Sequence, residues 1–478
     1  MRESPLKIAA ALGLAWITLT LDPNFALATE GMEYPTTSDG VLPTADGFRG
    51  IWYMNQPSKD EYAYKYSGGM ATYPWQHHPI AIYSPEADKT FFVYGGRYKD
   101  RNSLLHMVSY FDHKTGMVAR PRVLLDKKTT DAHDNPTLCI DDKGYLYVFS
   151  SAHGTSRPAY IHRSQKPYDI SAFDLLLETN FSYTQPWFLK EHGFVFMHTR
   201  YAGGRVLHVM QSKDGENWTE PMVLAKIAEG HYQVTQPHEN RIATAFNYHP
   251  KGKGLNYRTN IYYMESSDGG KTWSNAQGEK LELPLTTIDN PALAAEFESK
   301  GRLCYMRCLR FTPDGQPVVL FVTSGGYEAG PKNDPRTFTT ARWTGSEWEV
   351  REAMPCDNNY DFADLEIRDD GVWQISGATQ PGPQLYNTGG EVAIWTSDDE
   401  GATWKMQKQL TKNSKHNHNF PRRAVNSHVD FYLLWADGHG RKPSESALYF
   451  TDRAGTAVWK FPPQIDGDAD MVKPIRVE

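Results

Sequence analysis

The sequence predicts an all-β fold, a seven-bladed β-propeller with Asp-box turns, on three observations. The 478 residues include 38 Gly, 30 Pro, 13 Trp and 27 Tyr, and long helical periodicity is scarce, which suits many short strands joined by turns. A unit of about fifty residues recurs, the spacing expected of propeller blades. Residues 266–273, SSDGGKTW, fit the pattern S-x-D-x-G-x-T-W, with degenerate copies SKDGENW at 212–218 and SDDEGATW at 397–404. In such a turn the Asp accepts backbone N–H bonds, a Gly takes positive φ and the Trp packs into the blade. These turns report fold and say nothing of chemistry.

Each unit has the same order: an inner strand, a turn, a more hydrophobic second strand, a polar loop with Gly, a third strand, and a turn near a Trp. Seven such units run over about 75–125, 131–178, 183–218, 231–273, 303–352, 361–410 and 416–463. Ahead of them, Arg2 and Lys7 form a basic region before an apolar stretch at 8–20 that is too short to span a bilayer. Ala26-Leu27-Ala28 follows as a cleavage site. The reading is a signal peptide at 1–28, a single propeller catalytic domain at 29–478, and a secreted or periplasmic protein with no membrane partner. The net charge of −7 argues against general nucleic-acid binding. The four cysteines, Cys139, Cys304, Cys308 and Cys356, make no disulfide framework. Cys304 and Cys308 fall four apart in a strand-like run, roughly 13 Å along one face, and read first as buried structural thiols, with a zinc site as the lesser alternative.

The stretch 131–163 organises the candidate site. Residues 137–140 and 145–150 read as a hairpin, and 158–162 begins a third strand. His133 stands just before the first strand and His153 just after the second, so both lie at one end, near Asn135 and Arg157. Imidazole titrates near neutral pH and suits proton transfer. Asp131 and Asp134 flank His133 and either orient it or cap the turn. Laid on this unit, the others place His78, Tyr183, Tyr232 and His418 where His133 stands. They place Arg97, the loop of Arg200, Tyr201 and Arg205, the run Asn247-Tyr248-His249, and Asp437-Gly438-His439 where His153 stands. Histidine, tyrosine and arginine thus recur on one rim, where a site is expected.

No two carboxylates can be placed across a substrate, as a glycosidase requires. There is no H-E-x-x-H or Cys/His zinc spacing and no G-x-S-x-G elbow. β-Elimination on a uronic-acid polymer fits better. A cation neutralises the carboxylate, a base takes the C5 proton, and an acid protonates the leaving C4 oxygen. Arg, His and Tyr supply all three roles without a cofactor.

Four phrases resemble the BNR-repeat polysaccharide lyases, and specifically the seven-bladed ulvan lyases secreted by marine bacteria. They are FRGIWYMNQPSKDEYAYKYSGGMATYP at 48–74, HDNPTLCIDDKGYLYVFSSAHGTSRP at 133–158, YTQPW with HTRYAGGR, and GHYQV with RIATAFNYHPKGKGLNYRTN. The resemblance implies endolytic cleavage of ulvan, a sulfated polymer of rhamnose 3-sulfate and glucuronic or iduronic acid, leaving unsaturated uronyl ends. It matches His133 and His153 to the family's histidines. Arg200 is the implied neutraliser, with Arg205 or Arg258 as substitutes. Tyr201 and Tyr248 are favoured over Tyr183 for the catalytic tyrosine. Asn135, Tyr183, Arg205, Asn247, His249 and Arg258 are implied substrate contacts. A structural Zn or Ca ion is compatible with the family, with no ligand set legible. An anionic sulfated polysaccharide is the expected partner of a monomer.

Two other readings remain. A sialidase also carries Asp-boxes, but Phe48-Arg49-Gly50-Ile51 departs from its F-R-I-P phrase and seven units exceed its six blades. A non-catalytic propeller could use the same aromatic rim only to bind polysaccharide.

Overall fold

The computed structural model describes residues 40–477, so the predicted signal peptide lies outside the described residues. Within them the chain is strand after strand, and its helical elements are two 3-10 turns, Ala132–Asp134 and Pro331–Asn333. No helix among the described residues is long and apolar enough to cross a membrane.

Five antiparallel four-stranded sheets follow one another along the chain. Each is built from consecutive strands, beginning respectively with Pro136–Ile140, Ser182–Leu189, Gln233–His238, Leu303–Phe311 and Ala363–Ile367. The remaining strands of the ring join in one eleven-stranded sheet. Its two parts, starting at Ala81–Ser84 and at Asn417–His428, meet through a single parallel pair, Ile82 with Val425. The first strand of each unit packs on the first strand of the next, and the series returns from Asn417–His428 to Ala81–Ser84. This is the β-propeller arrangement, which leaves few open edges.

Packing explains why the second strands lose the usual in–out alternation. Leu146–Ser150 and Pro317–Ser324 are buried at every position, because each sheet is covered on both faces by its neighbours. Phe149 bridges two sheets by meeting Phe196, with ring centroids 4.7 Å apart. Burying a side chain of that size contributes about 1.5–3 kcal/mol.

The Asp-box turns form as the sequence predicts. Asp268 Oδ1 accepts the N–H groups of Lys271 and Thr272 at 2.9 Å. Gly270 has φ of 90° and accepts the Trp273 indole N–H at 3.1 Å. Asp214 and Asp399 repeat the pattern. Asp452 forms a fourth such turn, accepting the Thr456 and Ala457 N–H groups at 3.0 Å. All four join third to fourth strands, at the end of the blades opposite the loops that join second to third. Cys139, Cys304 and Cys308 are buried free thiols, and Cys356 is partly buried. A two-stranded hairpin, Trp52–Pro57 with Tyr64–Gly69, stands outside the ring. Gly69 N–H is tied to Asn419 Oδ1 at 2.9 Å.

Candidate active site

Asp131 is the hub. It caps the 3-10 turn Ala132–Asp134 by accepting the His133 backbone N–H at 3.0 Å. The same carboxylate takes His133 Nδ1–H on Oδ1 at 2.6 Å and His153 Nδ1–H on Oδ2 at 2.7 Å. The two imidazoles stack with centroids 3.9 Å apart and planes 16° from parallel. Protons on both Nδ1 atoms leave both Nε2 lone pairs available. Burial alone would raise the Asp131 carboxyl, but His133 and then His153 outweigh it and hold it well below the usual carboxylate range. Burial pushes His133 down to about 4, against the pull of Asp131, so its ring is neutral at pH 7. His133 Nε2 meets the hydroxyls of Tyr73 at 2.8 Å and Tyr66 at 3.1 Å. His153 is the more accessible of the pair, its side chain 26% exposed against 6% for His133.

The second carboxylate of this turn is engaged elsewhere. Arg157 forks onto Asp134 through Nε at 2.7 Å and Nη2 at 2.9 Å, and Lys127 Nζ lies 3.5 Å from it. Asp134 is thus an anchor for the 131–157 hairpin rather than a free acid or base.

Beside the histidines runs an arc of tyrosines and cations. Tyr183 has φ of 53° at an irregularity between Ser182 and Gln185, a strained conformation for a bulky residue. Its hydroxyl lies 3.4 Å from that of Tyr232 and accepts from Tyr201 at 3.5 Å. The Arg205 guanidinium sits over the rings of Tyr201 at 5.3 Å and Tyr232 at 5.1 Å. Arg258 covers Tyr232 at 4.2 Å and Tyr305 at 4.5 Å, and donates to the Tyr360 hydroxyl at 3.2 Å. Lys65, from the outlying hairpin, lies over Tyr66 and Tyr360 and donates to Asn256.

Charge is unbalanced here. Burial, then Arg258 and Arg205, push the Lys65 ammonium well down. Burial works to raise Tyr232, but Arg205 and Arg258 outweigh it and bring its phenol down. Tyr201 goes the other way, raised by burial despite Arg205. Arg205 Nε and Nη1 and Arg258 Nη1 are buried without a hydrogen-bond partner. Crowded cations with orphaned N–H groups form a seat for an anion.

The structure brings together His133, His153, Tyr183, Tyr201, Arg205 and Arg258. His249 adjoins them, its ring 5.1 Å from Tyr232 and both its nitrogens unpartnered. Asn135 and Asn247 lie near and hold backbone groups, although Asn135 Oδ1 is left without a hydrogen-bond partner. Asn135 Nδ2 donates to the carbonyls of Met70 at 2.8 Å and Tyr73 at 2.7 Å. Asn247 accepts the Tyr232 N–H at 3.1 Å and donates to Cys304 O at 2.9 Å. These bonds position tyrosines.

Arg200 and Tyr248 are not brought in. Arg200 has His198 and Glu220 as neighbours, and Tyr248 donates to Glu298 with its ring beside Tyr262. Side chains alternate along a strand, so a shift of one residue selects the other face. The unit-to-unit equivalents His78 and His418 also stand apart, His78 against Trp187 and His418 accepting the Trp435 indole N–H. Lys65, Tyr66 and Tyr73 received no role from the sequence, although all three lie in the 48–74 phrase. Tyr305 and Tyr360 carried no signal there.

Among the described residues, two groups of side chains place metal-type donors within 4.8 Å of one another: Asp131, His133 and His153, and His113, His428 and Asp430. In the first, both Nδ1 atoms direct their protons at the carboxylate between them.

A family model described as BNR repeat-containing family member matches residues 105–355, just over half of the 478 residues. The chain belongs to this BNR repeat-containing family. Among curated relatives, an ulvan lyase of Nonlabens ulvanivorans is 24% identical over 433 residues, 80% of this chain and 88% of that protein. The Ulvan Lyase-PL25 of Pseudoalteromonas sp. (strain PLSV) is 26% identical over 317 residues, 57% of this chain and 62% of the relative. A solved polysaccharide lyase PL25 ulvan lyase superposes with a TM-score of 0.66 at 19% identity, covering 85% of this chain and 95% of that one. The same TM-score holds for that enzyme bound to -[GlcA(1-4)Rha3S]-, covering 86% and 95%. At that identity the structural likeness shows the fold, and it agrees with the propeller described above.

Proposed function

We propose that this BNR-repeat protein is a polysaccharide lyase that cleaves ulvan by β-elimination at the uronic acid. Relatives named ulvan lyases support the substrate, since one of them matches four fifths of the chain. The observation that carries the chemistry is Asp131 holding His133 and His153 in one tautomer beside Tyr201 and Arg205.

In this reading Arg205, with Arg258 and Lys65 behind it, receives the uronate carboxylate and stabilises the negative charge that develops as C5 loses its proton. His153 Nε2, the reachable lone pair, takes that proton. The C4–O4 bond breaks, its electrons go to O4, and the C5–H electrons form the C4=C5 double bond. The Tyr201 hydroxyl, kept protonated by burial, delivers a proton to O4. His153 then loses its proton to water and Tyr201 regains one, restoring the site. No step requires a cofactor. The predicted leader at 1–28 would place the enzyme outside the cytoplasm, where a polymeric substrate is met.

The test is ultraviolet absorbance over time with the mature protein on ulvan, beside alginate, heparin and chondroitin. A rise on ulvan alone is expected from the new conjugated double bond. A rise only on another uronate polymer would replace the substrate, and no rise on any would overturn the lyase reading.

A further inference from the structure

We infer that His113, His428 and Asp430 form a site for a zinc-class divalent metal that clasps the seam where the two ends of the chain share one sheet. His113 directly follows the strand Leu105–Asp112, and His428 ends the strand Asn417–His428. Asp430 lies in the turn before Phe431–Gly438. Their segments are brought side by side by the parallel pair Ile82 with Val425.

The imidazoles of His113 and His428 face each other with centroids 4.0 Å apart. Tyr83 walls both, at 5.1 Å and 5.0 Å. His113 Nε2 is paired with the Thr90 hydroxyl at 2.8 Å, while its Nδ1 is buried with no hydrogen-bond partner. A ring that donates from Nε2 to Thr90 has its bare lone pair on Nδ1, inside the cluster. This is the usual state of a metal-ligating histidine, with one nitrogen anchored by a neighbouring oxygen and the other free for the ion. His428 Nδ1 accepts the Asp430 backbone N–H at 3.2 Å and stands 3.5 Å from Asp430 Oδ2, and one donor atom from each of the three residues falls within 4.8 Å of the others. Tetrahedral zinc with N and O ligands needs donors about 3.4 Å apart. A small inward movement of Asp430, whose side chain is 62% exposed, is enough.

The surroundings favour a cation. Asp88, Asp430 and Asp112 all place negative charge near His113. Two imidazoles with one carboxylate suit zinc over calcium or magnesium, which prefer all-oxygen shells. An ion here would tie His113 to His428 across most of the chain, closing a very long loop and stabilising the ring against opening.

The test uses full-length protein stripped with chelator and titrated with zinc chloride in a calorimeter, then melted with and without zinc. One site of micromolar or tighter Kd is expected, with a rise in Tm of a few degrees. H428A should weaken zinc binding by about tenfold or more and abolish the Tm rise. D430N, at an exposed turn, reads the same loss in a variant with little reason to misfold. H153A removes the other His–Asp group and should keep the seam site. If two zinc ions bind, the number should fall to one in H428A. Zinc binding only at millimolar concentration, or binding unchanged in H428A and D430N but lost in H153A, would overturn the proposal.

Discussion

Asp131 does three jobs with two oxygens: it caps a turn and fixes the orientation of two imidazoles. An Asn there keeps the shape but offers one acceptor oxygen and a donating NH₂. At least one histidine must then turn over its tautomer and lose the outward lone pair. Asp131→Asn is expected to lower kcat on ulvan by about 10²–10⁴ with little change in Tm, read by ultraviolet absorbance and melting. The arginines separate in the same assay. Arg205→Ala removes the guanidinium over Tyr201 and Tyr232 and should cost about 10²–10³ in rate, whereas Arg200→Ala should remain close to wild type. Tyr201→Phe removes the proposed acid and should lose about 10² or more, while Tyr248→Phe, which breaks only the bond to Glu298, should not. Equal losses from Arg200→Ala and Arg205→Ala would mean that the substrate spans both faces of the strand.

At the scale of elements, loops that each look ordinary build one site because a few buried amides hold them. Asn135 gathers the carbonyls of Met70 and Tyr73, and so fixes Tyr73 against His133. Asn135→Ala strands those buried carbonyls, each at about 1–3 kcal/mol. The expected result is a Tm fall and a rate loss that a saturating substrate does not rescue. At the far end of the blades, Asp268→Ala removes acceptors from two backbone N–H groups. It should cost stability with kcat unchanged, since the Asp-box turns lie away from the site. Much of this was legible in the sequence. The hairpin at 137–150, the histidines at its open end and the Asp-box turns follow from local alternation and turn chemistry, which depend on neighbours in sequence. The choice of Arg205 over Arg200, or of Tyr201 over Tyr248, depends on which face of a strand looks inward. A bulge such as the one at Tyr183 resets that parity without leaving a mark in the residue pattern. Lys65, Tyr66 and Tyr73 come from outside the repeat, so the unit-to-unit comparison could not place them. The closure of the ring likewise rests on the single parallel pair in the eleven-stranded sheet, a contact between residues 82 and 425 that no local pattern encodes.

For the molecule as a whole, burial of histidine sets the response to acid. His133, His162 and His231 are each pushed down to about 4 by burial. His77, His78, His106, His198 and His249 are pushed well below their ordinary value for the same first reason. In the unfolded chain these rings take up a proton near pH 6.5. Between about pH 6.5 and 4 the unfolded state therefore binds more protons than the folded one, and stability rises with pH across that window. Read downward, the contribution is complete above pH 6.5 and is lost progressively toward pH 4. Asp141, Asp357 and Asp361 act oppositely, because burial raises all three carboxyls and their contribution fades as pH rises. The eight histidines outnumber these three acids, so the histidines set the sign. Thermal melting from pH 8 to pH 4 is expected to show a flat Tm down to about 6.5 and a steep fall below it. A Tm that holds level to pH 4.5 would mean that folding does not shift the titration of these rings. In that case burial would not keep the His133 ring neutral below about pH 6.5, and the lone pair it turns toward Tyr66 and Tyr73 would be lost there.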